Sequence, residues 1–114
     1  MFAFLYGLKS IAPAALQQAQ QLGTVTVFDL NARMHWERGH VPGARHLPVD
    51  FTRADLPSDP ATRLVFYCSN PLCRKAPTAG RRAVQMGFSD VMVMSAGIAG
   101  WLAAGLPAEG HTPA

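Results

Sequence analysis

At 114 residues, the chain is sized for one domain and leaves little room for a second. Almost half of its residues are apolar (49%) and 15% are charged, enough for a core and unlike a disordered tail or a long solvated helix. Ten basic against seven acidic side chains leave a net charge of +3, a mild attraction for anions rather than the dense basic stripe of a nucleic-acid binder.

The apolar pattern alternates short runs with helical stretches, the rhythm of a parallel sheet covered by helices. Residues 5–10 read as a first strand. Pro13 suits an early helical position, residues 14–22 are strong helix formers, and Gly23 ends that helix. The β-branched segment 24–30 (TVTVFDL) predicts a buried strand, after which Asn31 is placed to cap a short helix that runs to Arg38 and stops at Gly39. Val41-Pro42-Gly43 is turn chemistry and leads to a short strand at 45–47. Residues 50–60 hold prolines and charges and predict a surface connection with at most one helical turn. Residues 63–67 (RLVFY) are the clearest core strand, and they run directly into Cys68. A helix at 80–86 with Gly87 as its stop, a strand at 91–94 and a last short helix at 97–104 follow, and the Gly/Pro-containing tail 105–114 is expected to fray.

The strand, cysteine, loop and helix between 63 and 86 carry the candidate chemistry. A loop leaving the C-terminal end of a parallel strand opens into the crevice where such sheets bind ligands. Where it turns into a helix, backbone N–H groups and the helix N-terminus form an anion cradle. A cysteine at the start of that loop is expected to have a thiol pKa well below the ordinary value, and only the thiolate is a good nucleophile. The plain alternative is that Cys68 ends a buried strand and does nothing more.

Several segments bear on that choice. Asp29-Leu30-Asn31, followed by Gly39-His40-Val41-Pro42-Gly43-Ala44, resembles the first signature of rhodanese domains. Tyr67-Cys68 is similar to the start of that family's active-site loop, and Gly87-Phe88, Val91, Ala96-Gly97-Ile98-Ala99-Gly100-Trp101 and Gly105-Leu106-Pro107 resemble its C-terminal pattern. The matches keep the family's order over nearly the whole chain. The resemblance implies one rhodanese-like domain with a core at about 5–108 and a tail at 109–114: an open α/β sheet of about five mainly parallel strands with helices on both faces. It further implies a sulfurtransferase, in which Cys68 takes a sulfane sulfur from a small anionic donor such as thiosulfate, holds it as a persulfide and passes it to cyanide or a thiol. On that analogy the backbone of Ser69, Asn70, Pro71, Leu72, Cys73 and Arg74 forms the substrate-binding loop. Sulfur transfer develops negative charge on sulfur and needs such preorganised donors.

The match departs from the family at three places. Asn31 stands where an arginine is usual, so a buried Asp-Arg pair with Asp29 is not expected, and Ser95 replaces the first glycine before Ala96-Gly97. The loop Cys68-Ser69-Asn70-Pro71-Leu72-Cys73-Arg74-Lys75-Ala76-Pro77 is longer than the family's usual form, with Pro77 suited to the first turn of the next helix. Cys68 to Arg74 also satisfies Cys-x5-Arg, the oxyanion loop of tyrosine phosphatases and arsenate reductases, where the arginine forks onto a tetrahedral anion. That is the alternative activity, and Asp50 or Asp59 is its candidate acid. A non-catalytic binding module on the same fold is a second alternative. Within the loop, Cys73 is either a small packing residue or a resolving cysteine for Cys68.

The remaining chemistry-bearing residues read as structure. His40 lies in a turn motif, and His35, His40 and His46 fall in different elements without a thiolate pair, so neither metal nor cofactor is expected. Trp36 and Trp101 read as core anchors, Met86, Met92 and Met94 as packing, and Arg81 and Arg82 as a solvated helix face, while Arg74 and Lys75 at the loop's end would attract an anionic donor. The two cysteines do not form a secreted disulfide framework, and no positive charge precedes the apolar opening segment. The expectation is a cytoplasmic protein that binds neither membrane nor nucleic acid.

Overall fold

The computed structural model describes residues 8–110. Among them are strands β1 (Lys9–Ser10), β2 (Thr26–Asp29), β3 (Arg45–His46), β4 (Leu64–Tyr67) and β5 (Val91–Val93). The helices are α1 (Pro13–Gln21), α2 (Arg33–Arg38), α3 (Lys75–Gln85) and α4 (Gly97–Ala103), with one 3₁₀ turn at Arg53–Asp55. The strands form a single parallel sheet in the order β1-β5-β4-β2-β3, the α/β architecture that the alternation of elements requires. Positions 5–7 of the expected first strand lie outside the described residues.

Alternate side chains along the strands feed two cores. Phe28, Leu64, Phe66, Val91 and Val93 face α3, whose Ala76, Ala79 and Ala83 let the helix lie close to the sheet. Val27, Val65 and Tyr67 face the other way, against Leu16 of α1 and Trp101 of α4. All four residues of β4 are therefore buried, as a central parallel strand covered on both faces demands. Trp101 is fully buried and donates its indole N–H to the Pro107 carbonyl at 2.8 Å, which fits its reading as an anchor.

Three local expectations are corrected here. Asn31 does not cap α2: its backbone N–H is taken by Asp29 Oδ1 at 2.7 Å, and Ala32 holds the cap position without a side-chain bond. Helix α3 starts at Lys75 rather than Gly80, because the first-turn N–H groups lack intrahelical partners and Pro77 costs nothing there. Arg82 is not a solvated side chain: its guanidinium donates to the carbonyls of Val49 and Phe51 at 2.7 and 2.6 Å and lies over the Phe51 ring.

The tail does not fray at once. Glu109 exchanges backbone hydrogen bonds with His40 at 2.8 and 3.0 Å, and its carboxylate accepts the Gly43 N–H at 2.6 Å. These bonds hold the chain through Glu109 against the β2–β3 connection, while 111–114 lie outside the described residues.

Candidate active site

The onward connections of β2 and β4 diverge, β2 leading to β3 on one side and β4 to β5 on the other. Adjacent strands with diverging connections open a crevice at their C-terminal ends. Cys68 leaves β4 at that point. Its carbonyl accepts the Ile98 N–H at 2.9 Å, and the Ser69 carbonyl accepts the Ala99 N–H at 3.0 Å, so the start of α4 clamps the start of the loop. The clamp requires glycine at position 97. Gly97 has φ +67°, and a Cβ there would come within 2.6 Å of the Asn70 nitrogen and the Ser69 carbonyl carbon.

Beyond the clamp, the loop folds on Asn70. The Leu72 N–H donates to Asn70 Oδ1 at 2.9 Å and the Cys73 N–H to the Asn70 carbonyl at 3.1 Å. These two donors are thus engaged within the turn, and Pro71 has none. The N–H groups directed at the Cys68 thiol come from Ser69 and from Ala76, in the first turn of α3. Of the loop residues expected from the sequence, Cys68, Asn70, Pro71 and Cys73 line one small cavity of about 10 Å³. Leu72 is 81% exposed and points away from it. Arg74 lines a neighbouring depression with Val49, Lys75, Thr78 and Arg82.

The cavity's other wall was not foreseen. It consists of Ala76 and Pro77 of α3 and of Val93, Met94 and Ser95 at the end of β5. Sheet order carries the missing signal, since loops after neighbouring parallel strands converge and β5 lies beside β4. Ser95 is fixed from β1, accepting the Ser10 hydroxyl at 2.9 Å.

The two thiols hydrogen-bond to one another. Cys68 is 2% exposed. Burial pushes its thiol up to about 12, and the bond to Cys73 adds to the rise, against the smaller lowering influence of the Ala76 and Ser69 N–H groups. The expected low-pKa Cys68 thiolate is therefore corrected: the cradle is present, but desolvation and the neighbouring sulfur outweigh it. Burial alone would also raise Cys73. The Cys68 thiol, the Lys75 and Ser69 N–H groups and the Ser69 side chain more than offset this and bring Cys73 below the ordinary thiol value. Together the cysteines form a pair whose first proton is lost from the Cys73 side.

The histidines lie elsewhere. His40 stacks on Trp36 with ring centroids 4.3 Å apart and donates from Nδ1 to the Trp36 carbonyl at 2.6 Å, and His46 donates from Nε2 to the Asn31 carbonyl at 2.9 Å. Asp50 and Asp59 are exposed and do not line the Cys68 cavity. No helix among the described residues is long and apolar enough to cross a membrane.

Comparison with known proteins gives a consistent result. A family model described as a rhodanese-like domain matches residues 12–104. The thiosulfate sulfurtransferase GlpE of Pseudomonas putida is 37% identical over 106 residues, covering 89% of this chain and 90% of that protein. The HTH-type transcriptional regulator Rv0324 of Mycobacterium tuberculosis is 31% identical over 105 residues, covering 91% of this chain, which spans 46% of the regulator's length. Among solved structures, the BH2092 protein of Bacillus halodurans superposes with a TM-score of 0.79 over 90% of this chain and 77% of its own, at 23% identity, a likeness of fold. With most of its length matched by the family model and one relative aligned nearly end to end, this chain belongs to the rhodanese-like domain family.

Proposed function

We propose that the protein is a sulfurtransferase that carries sulfane sulfur as a persulfide on Cys68. The observation that supports this most directly is the match between cavity and cargo. Cys68 faces about 10 Å³ of free space, room for about one water-sized atom. One added sulfur suits that space, beside the Ser69 and Ala76 N–H groups and the N-terminus of α3.

In the reaction with thiosulfate, Cys68 Sγ bonds to the outer sulfur of the donor. The donor's S–S bond breaks, and sulfite leaves with the electron pair. The Cys68 proton passes to the Cys73 sulfur once that thiol, held below its ordinary pKa, has ionised. This handoff answers the high Cys68 pKa, because the proton need not go to water. Charge that develops on the persulfide meets preorganised N–H donors rather than solvent. Cyanide or a thiol then attacks the outer sulfur, and Cys68 leaves as the thiol by recovering the proton from Cys73. Arg74 and Lys75, which line the neighbouring depression, add positive charge that favours an anionic donor.

The same geometry weakens the phosphatase and arsenate reductase alternative. That chemistry needs the Arg74 guanidinium over the anion beside Cys68, whereas Arg74 lines the adjacent depression. A binding-only role leaves the paired thiols and their donors without a purpose. Steady-state assay tests the reading: thiosulfate:cyanide turnover is expected in the wild type and absent in Cys68→Ser, whose hydroxyl cannot carry sulfane sulfur. Efficient aryl phosphate hydrolysis that is lost in Arg74→Lys would reverse it.

A further inference from the structure

Cys68 and Cys73 are both free thiols, yet they share one cavity, pack against one core cluster and hydrogen-bond to each other. The Asn70 turn makes this possible by curling the loop so that its sixth residue returns to its first. A packing residue at position 73 would need only volume. A second thiol directed at the sulfur of the first supplies a nucleophile.

We infer that Cys73 is a resolving thiol, which attacks the persulfide on Cys68, releases sulfide and closes a Cys68–Cys73 disulfide. The inference rests on the persulfide reading above. In this step Cys73 Sγ bonds to Cys68 Sγ, and the bond between Cys68 Sγ and the outer sulfur breaks. The electron pair leaves on the outer sulfur, which departs as hydrosulfide and is reduced from the sulfane level to sulfide. The two cysteine sulfurs are together oxidised by two electrons. An external dithiol returns both electrons and restores the free pair.

Geometry favours this direction of attack over passage of the outer sulfur to Cys73. Cys73 already contacts Cys68 Sγ, the atom to be attacked. Hydrosulfide leaves by way of the N–H cradle and the cavity mouth. The consequence is a second outlet for the loaded enzyme, in which sulfur is released as sulfide when no acceptor is at hand and the enzyme then waits for a reducing thiol.

The full chain, loaded with thiosulfate and freed of excess donor, is followed without acceptor by intact mass and by sulfide release, beside Cys73→Ser and Cys73→Ala. Wild type is expected to lose its persulfide, release one sulfide per chain and become a species two hydrogens lighter than the reduced protein. Peptide mapping should find the Cys68–Cys73 bridge, and dithiothreitol should reverse it. Both variants should hold the persulfide about tenfold longer or more. Equal lifetimes in all three proteins, or sulfide release from wild type without a bridge, would overturn the inference while leaving the persulfide intact. If Cys68 takes up no sulfur in any of the three, the inference falls together with the reading beneath it.

Discussion

The Tyr67 hydroxyl donates a 2.6 Å hydrogen bond to Asp29 Oδ2, and both side chains are fully buried. Position 31 holds asparagine rather than arginine, and Tyr67 is the side-chain partner of Asp29. Tyr67 also accepts the Val41 N–H at 3.0 Å, and Asp29 Oδ1 accepts the Asn31 N–H. One network therefore ties the end of β2, the 41–43 turn and the residue immediately before Cys68. Desolvation by burial raises the Asp29 pKa above its ordinary value, against the lowering effect of the Tyr67 and Asn31 bonds, and the buried tyrosine is raised as well.

Tyr67→Phe removes the hydroxyl and leaves the Val41 N–H and one Asp29 oxygen unpaired, which should cost about 1–3 kcal/mol in urea unfolding. The pH dependence has a definite sign. Because Asp29 binds its proton more tightly when folded, its contribution to stability is fully present below the ordinary carboxylate pKa and is lost as pH rises through the raised value. Loss of the tyrosine bond raises that value further. The deficit of Tyr67→Phe should therefore be larger at neutral pH than near pH 4, and a deficit independent of pH would contradict the network.

Gly97→Ala forces a side chain into the left-handed region and into the backbone of Ser69 and Asn70. Strain alone costs about 1–2 kcal/mol. The collision adds to it by loosening the loop, so turnover should fall together with stability. Gly23→Ala is the matched control: φ is +70° but nothing lies within 4 Å, so stability should drop without loss of turnover. Equal effects of the two changes on turnover would show that the α4 clamp does not position the loop.

Limited iodoacetamide at neutral pH should label Cys73 before Cys68, since Cys73 is the more exposed thiol and the one held below its ordinary pKa. In Cys73→Ser, Cys68 loses two influences that raise it and should titrate below about 12, as read by ultraviolet thiolate absorbance. Preferential labelling of Cys68 in the wild type would invert the roles within the pair.

Glu109→Ala removes the carboxylate that accepts the Gly43 N–H and lies 3.5 Å from His40 Nε2. At this half-exposed position the expected loss is modest, about 0.5–1.5 kcal/mol. Hydrogen exchange should quicken at His40 and Glu109, whose amides close the bridge. Unchanged protection there would mean that the backbone bonds alone hold the tail.

Elements whose signals are local were legible in the sequence. The β-branched run before Asp29 and the apolar run before Cys68 gave their strands to within two residues. Parallel pairing followed from the helices between them. Contacts between distant segments were not legible. Nothing near Arg82 announces the Val49 and Phe51 carbonyls, and nothing near Glu109 announces Gly43. At the site, the sequence placed Cys68 at a strand end with Cys73 close by, but pattern alone carries no measure of desolvation. It therefore credited the cradle with a lowered Cys68 pKa, whereas burial dominates. The clamp by Gly97 and the cavity wall from β5 depend on sheet order, which a chain read in sequence does not display.

The most direct measurement of the central claim is the intact mass of the full chain after incubation with thiosulfate and removal of the donor. The wild type should gain one sulfur, mapped to the peptide that contains Cys68 and removed by cyanide as thiocyanate, and Cys68→Ser should gain none. An unchanged wild-type mass under conditions that load a known thiosulfate sulfurtransferase, or an equal gain in Cys68→Ser, would contradict the assignment of Cys68 as the sulfur carrier.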